Sequence, residues 1–356
     1  MTLLFINFLI IGGLFLADAA CFISPEKFLL PSYLGLAFPA IVIAAIFFMF
    51  FWVIRHKWYF IVSLISLFFV HESLFNTFSF NFKKDIPEKT ICVLSYNVHL
   101  FDFYTPVANN KILDYIYEAD ADIVCLQEFG FNTDSKKKFL KKNEILDKLR
   151  KKYPYHHINL SFLQKNNSYG VATFSKYPIK NKQYIDYVSK YNSTIFSDID
   201  INGRIVRIFN CHLESNNITE NDKELISNLG EDFKNEKMNE IVNHLSRKLG
   251  QSFKLRAKQA KIIADKINQT TIPIILCGDF NDVPVSYAYS TIRGSKLKDS
   301  FTESGNGYGH TFNEKFFWFR IDQILHSDDF QAYKFSIDKI KYSDHYPIKC
   351  LLSFKE

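Results

Sequence analysis

Ile272-Pro273-Ile274-Ile275-Leu276-Cys277-Gly278-Asp279-Phe280-Asn281-Asp282 is an apolar run that ends abruptly in acids and amides. A short continuous apolar stretch bounded by turn residues reads as a buried strand. Its polar tail then sits at the C-terminal end of the strand, where a loop displays side chains from a rigid support. Taken alone, Asp-Phe-Asn-Asp reads as a surface turn, because Asp and Asn favour turn conformations. Repetition of the pattern along the chain changes that reading.

Working outward, the same arrangement recurs. Strand-like runs at residues 91–96, 123–127, 169–174, 194–199, 205–211, 320–325 and 348–353 accompany the one at 272–277. Ser95-Tyr96-Asn97 closes the first, Gln127-Glu128 the second and Asn210-Cys211-His212-Leu213 another, while Ser343-Asp344-His345 precedes the last. Helical spacing predicts helices at 111–118, at 136–152, at 223–249 with a break, and at 254–267. Strands alternating with helices predict an α/β fold.

The polar ends supply the parts that phosphoester hydrolysis needs. Hard divalent ions such as Mg²⁺ take carboxylate and amide oxygens, and Glu128 and Asp344 are carboxylate candidates with Asn97 beside them. A water must lose a proton, which a histidine steered by a carboxylate can accept. His345 is that candidate and Asp322, in Arg320-Ile321-Asp322-Gln323, its partner; for Asp322 the competing reading is a salt bridge to Arg320. Charge on phosphoryl oxygens needs donors, for which His212 and Asn281 are available.

Seven motifs in this order resemble the endonuclease/exonuclease/phosphatase superfamily, which includes DNase I-like nucleases, abasic-site endonucleases, neutral sphingomyelinases and inositol-polyphosphate 5-phosphatases. They are Ser-Tyr-Asn-Val at 95–98, Leu-Gln-Glu at 126–128, Gly-Val-Ala-Thr-Phe-Ser-Lys-Tyr-Pro-Ile at 170–179, Asn-Cys-His-Leu at 210–213, Gly-Asp-Phe-Asn-Asp at 278–282, Arg-Ile-Asp-Gln-Ile-Leu at 320–325 and Ser-Asp-His-Tyr-Pro-Ile at 343–348. The resemblance implies a four-layer sandwich, two mixed β-sheets packed face to face and flanked by helices, with a site dependent on Mg²⁺ (or Mn²⁺) at one edge. By the same resemblance Glu128 is the main metal ligand, Asn97 a metal- or phosphate-side amide and Asp344 an assisting ligand. His212 would contact the scissile phosphate, Asn281 would hold a phosphoryl oxygen, and Asp279 would position or activate the nucleophile. Asp322 and His345 would form a carboxylate-histidine pair, and either Asp279 or His345 is the base. His310, in Gly309-His310-Thr311-Phe312, resembles a segment lining the substrate cleft, with a surface turn as the competing reading.

A chain of 356 residues exceeds one ordinary domain, and its first eighty residues carry little charge. Three apolar stretches, 2–23, 33–54 and 58–80, each approach the ~20 residues that cross a bilayer, although His71 and Glu72 interrupt the third. The division expected is a membrane segment of about three transmembrane helices at 1–82, a linker at 83–90 containing Pro87, and the hydrolase domain at 91–356. Arg55, His56 and Lys57 favour a cytoplasmic loop between the second and third spans. That places the domain on the extracytoplasmic side, in a bacterial inner membrane, although Lys83 and Lys84 pull the other way. The six cysteines form no C-x-x-C pair and five lie in strand-like runs, which predicts buried free thiols.

Substrate choice resides in loops. The basic segment 136–152 fits nucleic acid or anionic headgroups, or simply a solvated face, and the polar insert 214–249 lies beside His212. The expectation is a membrane-integral phosphodiesterase or phosphatase, endonuclease-like, acting on nucleic acid or a phospholipid headgroup. A catalytically silent scaffold that binds phosphorylated ligands is the alternative, and the retention of every acidic, amide and histidine position argues against it.

Overall fold

The computed structural model describes residues 1–102, 105–132, 140–163, 167–189, 191–219, 221–222, 235–314 and 317–355. Strands follow in chain order as β1 (Ile91–Asn97), β2 (Ile123–Asn132), β3 (Tyr155–Leu163), β4 (Asn167–Ser175), β5 (Ile179–Ile185), β6 (Thr194–Ile201), β7 (Arg204–His212), β8 (Ile274–Asp279), β9 (Leu297–Asp299), β10 (Asp322–Ser327), β11 (Phe330–Ile337) and β12 (Ile348–Phe354). Helices of the body are α6 (Lys111–Ala119), α7 (Lys142–Leu149), α8 (Asn235–Gln269), α9 (Tyr287–Arg293) and α10 (Ser300–Ser304).

The strands make two six-stranded sheets, ordered β11-β12-β1-β2-β4-β3 and β5-β6-β7-β8-β10-β9. Each sheet holds one parallel pair, β1 with β2 and β7 with β8, among antiparallel neighbours. Alternate side chains leave opposite faces of a strand, so Val93, Cys125, Ile208, Cys277 and Ile324 fill the space between the sheets. Leu94 and Leu126 pack outward against Ile112 and Leu146 of α6 and α7. On the far side Phe209 and Leu276 pack against Ala260 and Ile263 of α8 and Ile292 of α9. The result is the expected four-layer sandwich, a DNase I-like fold.

Two helix expectations need correction. The helix expected at 136–152 is helical over Lys142–Leu149, because Glu144 accepts from the Lys141 N–H and Leu140 still pairs with Asn132; residues 133–139 lie outside those described. The interruption expected between the helices at 223–249 and 254–267 is absent. α8 runs unbroken through it, because the buried stripe Ile241, Phe253, Ala257, Ala260, Ile263 and Ile267 continues across. Residues 223–234, where that helix was to begin, lie outside those described.

The N-terminal helices are α1 (Thr2–Asp18), α2 (Leu30–Leu36), α3 (Phe38–Ile54), α4 (Phe60–Phe69) and α5 (His71–Thr77). The stretch Thr2–Cys21 is long and apolar enough to cross a membrane, whereas α2 with α3 and α4 with α5 are pairs bent by 72° and 71°. The second bend falls at Val70, beside the His71 and Glu72 that interrupt the apolar run. All six cysteines are free.

Candidate active site

Strand topology gathers the polar ends. Asn97 closes β1, Glu128 lies in β2, His212 closes β7 and Asp279 closes β8, all at the C-terminal ends of the two parallel pairs. Asp322 opens β10 opposite Asp279, and Asp344 and His345 precede β12, which runs back along β1. A hydrogen bond joins the two sheets at this edge, Asn97 Nδ2 donating to Asp279 Oδ2 at 2.9 Å.

Local backbone geometry aims two of these side chains. β2 shifts register between Leu126 and Phe129, and Glu128 within that bulge has φ of 50°. A bulge re-aims a side chain, which explains how a strand residue presents its carboxylate to the cleft. Asn281 has φ of 51° and its N–H donates to Asp279 Oδ1 at 2.8 Å. Gly278 is required for close approach, because a Cβ there would lie 2.2 Å from the Cys211 carbonyl of the adjoining strand.

Asp279 is the hub. Its Oδ2 lies 3.7 Å from Nε2 of His212 and 3.7 Å from Nε2 of His345, and Asn281 Nδ2 donates to it at 3.3 Å. His345 Nδ1 meets Asp322 Oδ2 at 2.9 Å. His212 Nε2 is also 3.9 Å from Glu128 Oε1, to which Asn97 Nδ2 donates at 3.3 Å. His212 Nε2 and Asp322 Oδ1 are buried with no hydrogen-bond partner among the described residues.

Charge in the cluster is unevenly held. Burial alone would discharge His345, yet the Asp322 and Asp279 carboxylates hold its pKa well above the ordinary value. Burial raises the Asp279 carboxyl, and burial lowers the His212 imidazole. Burial and the neighbouring Asp344 carboxylate raise Glu128. Asp344 itself stays below the usual range despite its burial, through His345, His99 and the Ser343 hydroxyl. Two adjacent carboxylates, about a quarter exposed, thus repel each other. A hard divalent cation fits that donor set. Asp279, Asp322 and His345 also bring ligand-type atoms within 4.8 Å of one another. There, however, His345 Nδ1 is already engaged by Asp322, which suits proton transfer better than metal ligation.

The expected residues Asn97, Glu128, His212, Asp279, Asn281, Asp322, Asp344 and His345 therefore share one cleft. His310 is half-buried, with its ring 5.8 Å from that of Tyr346 and 6.4 Å from that of Tyr308. Several further residues support the site. Ser343 donates to the Asn97 carbonyl at 2.9 Å, and the Thr311 hydroxyl accepts from the Asp322 N–H at 3.1 Å. Gln127 and Asn210, both fully buried, bond at 2.7 Å between the sheets. Arg256 of α8, also fully buried, donates to Asp282, to the Glu214 carbonyl and to Asn216 at 2.8–3.0 Å. It thereby ties the loop after β7 to the loop after β8.

Comparison with known proteins agrees with this architecture. Residues 94–345 match the model of the Endonuclease/Exonuclease/phosphatase family, and residues 1–77 match a domain of unknown function (DUF8431). No curated protein matches the chain. Among solved structures, an endonuclease/exonuclease/phosphatase from Beutenbergia cavernae DSM 12333 is similar at 15% identity and a TM-score of 0.53, over 75% of this chain and 72% of that one. A family protein from Leptotrichia buccalis C-1013-b aligns at 18% identity and a TM-score of 0.49, over 74% of this chain and 100% of its own. A mannosyl-6-phosphatase of Bacteroides thetaiotaomicron VPI-5482 aligns at 16% identity and a TM-score of 0.48, over 74% and 100%. At these identities the likeness concerns the fold.

Proposed function

The chain belongs to the endonuclease/exonuclease/phosphatase family, and from that membership we propose that it is a divalent-metal-dependent phosphoester hydrolase anchored in a membrane. Its substrate on this reading is a nucleic acid or a phospholipid headgroup. The observation that carries the proposal is the Asp322–His345–Asp279–His212 array, buried at the edge where the paired carboxylates Glu128 and Asp344 face the cleft. Glu128 and Asp344 would hold Mg²⁺ or Mn²⁺, with Asn97 orienting Glu128. The bound ion would neutralise charge on a phosphoryl oxygen.

The chain's own residues account for the rest. A water oxygen adds to phosphorus as its proton passes to Asp279 or His345, the bond from phosphorus to the leaving oxygen breaks, and that oxygen departs as an alcohol by taking up the proton released. Asp322 holds the His345 ring in place and supports its charged form. His212 Nε2, buried with no hydrogen-bond partner among the described residues, is available to a phosphoryl oxygen, and Asn281 places an amide beside the nucleophile's position. His310 would line the entrance. On this reading residues 91–356 are the hydrolase domain, 83–90 a linker and 1–82 the membrane segment, with the domain on the extracytoplasmic side of a bacterial inner membrane.

The full chain in detergent should hydrolyse bis(p-nitrophenyl) phosphate with Mg²⁺ or Mn²⁺ and stop with EDTA, while Asp279→Asn loses ~10²-fold or more of the rate. Folded protein that is inert with either ion, or a variant as fast as the parent, would sink the reading. A reporter fused after Phe354 that is active only in the cytoplasm would reverse the orientation.

A further inference from the structure

The apolar helices are built into the rim of the active site. Val285, four residues beyond Asn281, is buried among Leu14, Ala17, Phe38, Val42, Ala45 and Val70 of α1, α3 and the α4–α5 bend. α2 lies directly on the same loop: a Cβ on Gly35 would sit 2.4 Å from the Val285 carbonyl oxygen. The seam between the helices and residues 283–285 closes to a void of about 10 Å³, too small for more than one water. From the other flank, Arg320, two residues before Asp322, donates to the Asn76 carbonyl of α5 at 2.8 Å and to Asp299 at 2.8 Å. Ser79, just past α5, exchanges two backbone hydrogen bonds with Gly307 at 3.0 and 2.7 Å.

These contacts set a height. The helices meet the body at the end of α1, the start of α3 and the end of α5, and Phe47, Phe50, Phe68 and Phe69 project outward from them, each 55–70% exposed, as lipid-facing side chains do. Consecutive Cα atoms are ~3.8 Å apart, so Asn281 lies no more than ~15 Å from Val285. Headgroups occupy a further ~5–8 Å beyond the hydrocarbon on each side of a bilayer. The reacting centre is thus held within a short step of the headgroup layer by packing, and not by a free tether.

We propose that the substrate is the phosphoester of a membrane-lipid headgroup, hydrolysed while the lipid's acyl chains remain in the bilayer. This rests on the hydrolase reading above and narrows its substrate. A lipid presents its phosphate at the height of the site at the local concentration of the membrane itself, whereas a polynucleotide would have to be pressed against a bilayer surface to reach it. Water supplies the new oxygen on phosphorus, and the alkoxide side of the broken bond leaves as an alcohol with a proton, so no further reactant is required.

The test uses the full chain in nanodiscs of bacterial total-lipid extract supplemented with sphingomyelin, with Mg²⁺, followed by phosphorus-31 NMR. Plasmid DNA, glycerophosphocholine and bis(p-nitrophenyl) phosphate are offered in parallel. The expected result is loss of a lipid phosphorus signal at least tenfold faster than turnover of DNA or glycerophosphocholine, blocked by EDTA. Hydrolysis of bis(p-nitrophenyl) phosphate with every lipid signal unchanged, or with DNA cut as fast as any lipid, overturns the lipid assignment and leaves the hydrolase standing. Inertness toward all four overturns both.

Discussion

His345 Nδ1 and Asp322 Oδ2 lie 2.9 Å apart in a buried pair, and the other ring nitrogen of His345 faces Asp279 at 3.7 Å. Asp322→Asn keeps the shape and removes the charge that sustains the imidazolium. The pH limb of kcat/KM that belongs to His345 should therefore move to lower pH, and kcat should fall by ~10²-fold. A pH–rate profile measured on both proteins decides it; an unmoved limb would show that His345 is not the titrating group.

Glu128 and Asp344 repel one another in the absence of a cation. Glu128→Ala relieves that repulsion, so the metal-free variant should melt no lower than the parent. It should also lose the rise in Tm that Mg²⁺ or Mn²⁺ produces in the parent, since only binding to the folded state stabilises. Thermal denaturation with and without metal reads both. A metal-induced shift of parental size in the variant would remove Glu128 from the metal site.

Arg256 bridges Asp282, Glu214 and Asn216 with a planar fork, and Asn216 Nδ2 in turn lies 3.5 Å from the Asn281 carbonyl. Lysine keeps the charge and loses the fork. Arg256→Lys is expected to lower kcat by roughly tenfold with KM little changed, because the loops bearing His212 and Asn281 lose a common anchor without losing a substrate contact. Equal falls in kcat and 1/KM would assign Arg256 to substrate binding instead.

Asp198 pairs with Arg207 through contacts of 2.7 and 2.9 Å. Although partial burial opposes ionisation, Arg207 and Asn181 hold its carboxyl below the usual range. A depressed carboxyl contributes stability that is present above the unfolded pKa of ~3.9 and lost as pH falls through the folded value. Arg207→Gln should cost about 1.5–3 kcal/mol at pH 7, and its stability should fall less steeply than the parent's below pH ~4. Urea titrations at the two pH values test this; parallel losses in both proteins would refute it.

The sequence reveals the centres of the two sheets better than their margins. Every expected strand exists, and the four that escape notice, β3, β5, β9 and β11, are the outer strands of the two sheets. Edge strands bury only part of their side chains: β5 exposes Lys180, Lys182, Gln183 and Tyr184, and β9 is three residues long. Neither carries the apolar run that marks β8. Most site residues are legible because each ends, follows or precedes the apolar run of an interior strand. Arg256 is not, because its role comes from contacts with distant segments and an isolated Arg has no pattern. The interruption expected between the helices at 223–249 and 254–267 illustrates the converse, a local signal overruled by the continuous packing of α8 on the sheet.

β12 lies between β11 and β1, so the first strand of the sandwich finds its antiparallel neighbour only in the last. His345 and Asp344 arrive with that strand. A ribosome must therefore finish nearly the whole body before the cleft has its full set of groups, and a chain interrupted anywhere upstream leaves β1 with an open edge. Such fragments would be inert and prone to aggregate, so hydrolytic power would appear only in molecules whose synthesis has run its course.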